Sequence, residues 1–322
     1  ESMGMNKKAM TFTILAILFA LTLVFFIVMK GRYSATDREQ VAISRVESMD
    51  NFIDIVEVDI KRSLYIAGFR ALISITDYMT EQQSFLNSGD TEKFFRELLF
   101  DGTINSQQSS LMIGQTFNKW TTQIINKGND INIVISFTNS NIILYQESPW
   151  NITVELNTTM SISDTAGTAS WLRNVSLKTY IPIQNFEDPL YIIKGQKKIG
   201  NEINITLYEG RYRNVTTGDC YNLAKHAENS LYANNSDAPS FLDRFEFDKL
   251  PWKYSSCCGI ESFINALEFN DRGVPLLYPI SSMIDHEQWS SSDPGGENPS
   301  TCTNLPGWFR ISTGHKSRYQ VP

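Results

Sequence analysis

The chain has 322 residues, of which 42% are hydrophobic and 12% aromatic, with a formal net charge of −7. That length and aromatic content exclude a disordered tail, and they supply enough apolar mass for a sizeable core. There is no dense basic patch beyond Lys7 and Lys8, so nucleic-acid binding has no support.

Lys7 and Lys8 are followed by an uncharged run that begins at Ala9 and ends at Met29. About 20 such residues in a helix span the roughly 30 Å hydrocarbon core of a bilayer. The run is longer than the ~7–15-residue apolar region of a secretory signal, and it ends at Lys30, Gly31 and Arg32 without a small-x-small cleavage site. Retention is therefore expected there. Basic residues flank both ends, so flanking charge orients the segment only weakly.

Beyond Gly31 the sequence turns charged and amphipathic. Val46, Met49, Ile53, Val56 and Ile60 recur at spacings of three and four, and Leu64, Ala67 and Ala71 continue the stripe. No proline occurs before Pro149, so the helical pattern runs unbroken to Met79, on the order of 105 Å. Gly31 and Gly68 are the candidate bends. The stripe needs a surface to pack on: the body, sibling helices, or both.

Two shorter helices are expected next. One covers 91–100 with Thr91 as its cap, and the other covers 111–127, ending near Gly128. Strands follow. Ile131, Ile133, Ile135 and Phe137 alternate, and 142–145 resumes after the turn-like Thr-Asn-Ser-Asn. Further strands are expected at 150–162, 174–183, 190–194 and 202–208, with helical turns near 220–232 and 260–269. Short strands joined by turns argue for an antiparallel sheet or sandwich. The segment 290–304 reads as a polar surface loop.

Sequons occur at Asn151, Asn157, Asn174, Asn204, Asn214 and Asn234. Several fall out of phase with neighbouring apolar residues. Asn151 and Asn157 oppose Ile152, Val154 and Leu156, and Asn204 opposes Ile203, Ile205 and Leu207. Such parity places them on the solvated face of a strand, where glycosylation is expected. Four cysteines, Cys220, Cys257, Cys258 and Cys302, all lie after the apolar run. The even number suggests two disulfides in an oxidising compartment. A bridge between the adjacent Cys257 and Cys258 is the least expected pairing, so the two are expected to reach separately to Cys220 and Cys302. A zinc site is the alternative, without Cys-x-x-Cys spacing to support it. Sequons and cysteines together place the body on the extracellular face of the cell envelope.

No catalytic motif is present: no Gly-x-Ser-x-Gly elbow, Walker loop, dinucleotide turn or His-Glu-x-x-His. His226, His286 and His315 are far apart and read as surface or structural residues. Asp285-His286-Glu287 is a weak metal candidate, and solvated polar groups are the better reading. Asp293 to Glu297 lacks EF-hand spacing and reads as a turn. Trp252, Trp289, Trp308, Tyr254, Tyr278 and Tyr319 favour core packing over a sugar- or partner-binding patch. No enzyme activity, cofactor or metal is expected.

Lys7-Lys8-Ala9-Met10 followed by the apolar run resembles the N-terminus of archaeal type IV pilin-like proteins. The resemblance covers about 70 residues. It implies processing between Ala9 and Met10, assembly through the N-terminal helix, and β-rich, often glycosylated heads outside the filament. Where many bacterial pilins carry Glu, at the fifth mature position, this chain has Ile14. The assembly helix would present Phe12, Ile14, Leu18 and Phe25, then Val46, Met49, Ile53, Val56 and Ile60.

The expected architecture is α+β in three parts: leader and hydrophobic helix (1–30), amphipathic continuation (31–80), and a disulfide-stapled head (81–322). The expected role is a structural subunit of a pilus-like surface filament, with other copies of itself and the membrane as partners. The alternative is a single-pass surface glycoprotein whose head binds a ligand, a sugar or another cell.

Overall fold

The computed structural model describes residues 7–247, 257–276, 280–290 and 295–322, with the side chains of 7–11 and 32–39 left aside. Helix α1, Lys7–Gln82, is continuous over 76 residues, about 114 Å at 1.5 Å per residue. It passes through both Gly31 and Gly68. Gly68 serves close approach: a Cβ there would stand 2.8 Å from the Ile181 Cδ1 of the sheet behind it. Met49, Ile53, Val56, Ile60, Leu64 and Ala71 are fully buried, and Ala67 almost so. This half of α1 is thus part of the head's own core. Arg45 fastens the lower edge of that contact, pairing with Asp164 at 2.9 Å and donating to the carbonyls of Ile131 and Asn132.

Helix α2, Asp90–Asp101, starts at Gly89. Thr91 is not its cap. The carboxylate of Glu246 accepts from the Gly89 and Thr91 amides, both at 2.9 Å, filling the capping role from 155 residues downstream. A two-residue hairpin follows, β1 (Thr103–Ile104) and β2 (Gln107–Gln108). The expected 111–127 helix divides into a 3-10 turn, Ser110–Met112, and α3, Phe117–Asp130, capped by Thr116. Gly114 between them has φ +72°, a conformation that ends the helical run.

The main sheet is the antiparallel meander β3 (Ile133–Ser148), β4 (Asn151–Asp164) and β5 (Ser170–Pro182), with β4 central. The Thr-Asn-Ser-Asn interval is a bulge within β3 and not a turn between two strands. Thr138 pairs with Thr159 and Asn141 with Asn157, so one extra residue is inserted. The bulge reverses parity. Ile133 and Ile135 face the core before it, and Ile142 and Leu144 after it. In register with them, Ile142 pairs Leu156 and Leu144 pairs Val154, while Leu156 pairs Leu177 and Ile152 pairs Ile181 across β5. Ile131 is exposed and caps α3 instead of starting the strand. The buried face of the meander lies against α1, and each fully buried aliphatic side chain there contributes about 1.5–3 kcal/mol.

After the meander the chain becomes irregular. The 190–194 segment is helix α4, Pro189–Lys194, with Asp188 as N-cap and Pro189 at its first turn. The 202–208 segment makes only isolated bridges, and its Leu207 is 77% exposed. Helix α5, Tyr221–Glu228, precedes β6, Tyr232–Asn234, which pairs with β7, Ile260–Ser262. Short helices α6 (Ala266–Asp271), α7 (Asp285–Gln288) and α8 (Thr313–Lys316) complete the head. The result is an α+β fold with small antiparallel sheets. No second large sheet completes a sandwich among the described residues.

Candidate functional site

The apolar segment Phe12–Gly31 is a 20-residue stretch of α1 in which no residue is buried. Phe12, Ile14, Leu18 and Phe25 are exposed at 50–74%. Val46 lies at the border, 38% exposed. Met49, Ile53, Val56 and Ile60 are sequestered in the head and offer nothing to a sibling helix. A second apolar face takes their place. Ile55, Val58, Ile66 and Phe69 are exposed at 37–66%, and each stands two residues after a core position (Ile53, Val56, Leu64 and Ala67). Two residues turn a helix by about 200°, which puts this stripe opposite the core. The signal was present in the sequence as a second period offset by two, masked by the stronger first one.

Of the sequon asparagines placed by parity, Asn174 and Asn204 lie on the exposed face, and Asn214 and Asn234 are exposed as well. Asn151 and Asn157 are half-buried, with amides donating to Ser148 Oγ and Glu155 Oε1. The cysteines pair otherwise than expected: Cys220 with Cys302, and Cys257 with its neighbour Cys258. The cause is backbone pairing. The Cys220 amide donates to the Thr303 carbonyl and Asp219 bridges Thr303, which seats Cys302 on Cys220 and leaves the adjacent pair only each other.

The densest polar chemistry lies at β7, whose side chains divide between two buried clusters. On one side, Ser262 donates through its amide and hydroxyl to Asp285 Oδ2. Arg244, fully buried, spans Asp285 at 2.9 Å and Asp188 at 2.5 Å, and donates to the Ile260 carbonyl. Asp188 also accepts from Tyr232 and from the Leu190 amide. Burial pushes its carboxyl up, Arg244 opposes that shift, and Asp285 adds to it.

On the other side stands Glu261, also fully buried. Its Oε2 lies 3.1 Å from His286 Nε2 and 3.2 Å from His315 Nε2, and accepts from Asn235 at 2.7 Å. Its Oε1 accepts from Tyr319 and lies 3.1 Å from the Arg318 guanidinium. His315 Nδ1 faces Ser312 Oγ at 2.9 Å and Glu287 Oε1 at 3.1 Å. Burial alone would raise the Glu261 carboxyl, but bonds from the two histidines hold it well below the usual range. Burial likewise disfavours a charged His315, yet Glu261 and Glu287 outweigh it and raise its pKa to about 10. Gly259 permits this packing: any Cβ there would fall 2.1 Å from the carbonyl oxygens of Asn235 and Ala238.

His286 and His315, far apart in sequence, are thus neighbours, with ring centroids 5.8 Å apart. Asp285 and Glu287 do not join His286 as a local triplet: Asp285 faces Arg244 and Glu287 faces His315. His226 is elsewhere, fully buried against Tyr212, Phe263 and Tyr319. Trp289 and Tyr319 are core residues, and Trp308 is half-buried. Trp252, Tyr254, Tyr278, Asp293 and Pro294 lie outside the described residues.

No family model matches this chain, and no curated protein or solved structure does so either.

Proposed function

We propose that the chain is a structural subunit of a type IV pilus-like surface filament, which polymerises through α1 and carries the head on the extracellular side. The observation that carries this reading is the second apolar face of α1. A bare membrane anchor requires apolar residues within the bilayer and none above it, whereas Ile55 and Val58 lie beyond Phe12–Gly31 exposed at 59% and 66%, and Ile66 and Phe69 are covered by the head only in part, Phe69 by Phe186 at 4.9 Å between ring centroids. Sibling helices would bury both the run and this stripe. On this reading the resemblance at Lys7-Lys8-Ala9-Met10 supplies the processing step, and the exposed sequons carry glycans.

Electron microscopy of surface filaments tests the proposal. The double variant Val58→Glu/Ile66→Glu should keep the fold of the head and lose filaments. A wild-type protein that is monodisperse in detergent and never found in filaments refutes it. That result would favour the second reading, a single-pass anchored glycoprotein, which rests on the uncovered 20-residue run alone.

A further inference from the structure

We propose that Glu261, His286 and His315 form a binding site for one divalent cation of the zinc class. The site would staple the C-terminal segment to β7 and α7.

The argument rests on the geometry of the donors. The three ligand atoms lie within 4.8 Å of one another, and the two nitrogen-to-carboxylate separations are 3.1 and 3.2 Å. Tetrahedral zinc, with bonds of about 2.0–2.1 Å, separates its ligand atoms by about 3.3 Å. Two imidazoles and one carboxylate are a donor set that divalent transition metals favour over calcium or magnesium. Glu261 would bind through Oε2, since Oε1 is held by Tyr319 and Arg318; the metal would there displace or share the oxygen with the Asn235 amide, which donates to Oε2 at 2.7 Å and lies 3.2 Å from His315 Nε2.

The surroundings have the form of an outer shell. A metal-bound histidine usually gives its other ring nitrogen to a carboxylate or carbonyl, which fixes tautomer and ring orientation. Glu287 is placed for this on His315, and Ser312 donates to the same Glu287 oxygen at 2.8 Å. The His286 and His315 side chains keep 9% and 12% of their surface exposed. The site therefore lies just under the surface, where water can supply a fourth ligand and a metal can enter.

The ligands come from three places that regular secondary structure does not join. Glu261 is on β7, His286 on α7, and His315 on α8. The joins are single bridges, Phe263 with Ile284 and Glu297 with Ile311, together with the Met283 amide bonded to the Arg310 carbonyl. The Ile264 amide also donates to the Met283 carbonyl, and a metal would add a cross-link among segments that isolated bridges join. The rival is a closed histidine–carboxylate salt network with no room for an ion.

The test uses the full chain purified in detergent, stripped with chelator and titrated with Co2+ alone and Zn2+ alone. One equivalent of Co2+ per chain should bind with the visible absorption of a tetrahedral site, and Zn2+ should displace it. His286→Gln and His315→Gln should abolish that binding. Glu287→Gln, which leaves all three ligands in place, should weaken it about 10–100-fold with an unchanged circular dichroism spectrum. If the histidine variants fail to fold, the wild-type stoichiometry and Glu287→Gln still decide. Absence of stoichiometric Co2+ binding by the wild type, or binding that survives in the folded double histidine variant, overturns the proposal. So does Glu287→Gln affinity equal to wild type.

Discussion

The Arg244 cluster allows the sharpest test of how the head is held together. Arg244→Met replaces a fully buried guanidinium with an apolar chain of similar reach and strands two carboxylates. Asp188 and Asp285 have no exposed side-chain surface, and one Arg244 nitrogen serves both. Removing one partner of a buried ion pair costs about 3–5 kcal/mol, because the charge left behind is neither solvated nor paired. The variant should also gain a pH signature. Asp188 is already raised by burial and by Asp285, with Arg244 opposing. Without Arg244 its folded-state pKa rises further above the unfolded value of about 3.9. An acid raised in the folded state destabilises at high pH, and stability returns as the pH falls through the folded pKa. Each pH unit so crossed restores at most about 1.4 kcal/mol. Urea unfolding of the full chain in detergent, followed by tryptophan fluorescence at pH 7.5 and 5.5, measures both effects. The gap from wild type should be about 3–5 kcal/mol at the higher pH and smaller at the lower. A gap below ~1 kcal/mol at pH 7.5, or one equal at both pH values, refutes the assignment of Arg244 as the neutralising charge.

Three further outcomes are expected. His226 is held to a pKa of about 3, chiefly by burial and further by Arg318, with Glu261 opposing. Its neutral form stabilises the fold above the unfolded value near 6.5, and that contribution is lost as the pH falls. His226→Phe should remove about 2 kcal/mol of the decline between pH 6.5 and 5, read as the difference between the two urea series so that the opposite contribution of His315 cancels. Gly68→Leu should destabilise the chain by about 1–3 kcal/mol through overpacking against Ile181, read as a shift in the urea midpoint; an unchanged midpoint would mean that α1 does not lie that close to the sheet. Peptide mapping without reductant should recover Cys220 linked to Cys302, and the double serine variant of that pair should lose about 2–5 kcal/mol. Linkage of Cys220 to Cys257 or Cys258 would overturn the observed pairing.

The parts of the fold written in long periodic patterns were legible in the sequence. Helix α1 announced itself by the uncharged run and the stripe from Val46 to Ala71, and β4 and β5 by alternation around Ile152–Leu156 and Val175–Ile181. The β3 bulge was also written there, as the switch from odd Ile133 and Ile135 to even Ile142 and Leu144, but a parity switch reads equally well as a turn. Tyr191-Ile192-Ile193 shows the ambiguity of a short apolar run; Asp188-Pro189, a helix-start signature, was the cue that separates α4 from a strand. The Glu261, His286 and His315 cluster left no such trace. Its members are 25 and 29 residues apart, and single bridges bring them together instead of any repeated pattern. The disulfide pairing failed for the same reason: contacts in the irregular third decide it.

Distance along α1 bears on what covers its second face. At 1.5 Å per residue, Ile55 stands about 36 Å beyond Gly31, and Phe69 about 57 Å. A bilayer that receives Phe12–Gly31 ends near Gly31, so lipid does not reach either residue. The two apolar surfaces of α1 thus need different arguments. Insertion of thirteen Leu, Ile, Phe and Val residues of the run into lipid is favourable by about 4–8 kcal/mol on the insertion scale, which suffices to explain the run without any partner. Nothing comparable exists for Ile55 and Val58, or for the parts of Ile66 and Phe69 that the head leaves exposed, whose further burial another protein surface would have to provide. On the proposed reading a sibling α1 shifted along its axis would supply that surface, since one rod carries both the run and the stripe. This is why the decisive variants for assembly lie at Val58 and Ile66, above the membrane, and not within the run: substitutions in Phe12–Gly31 would abolish anchoring and filament alike and so distinguish nothing.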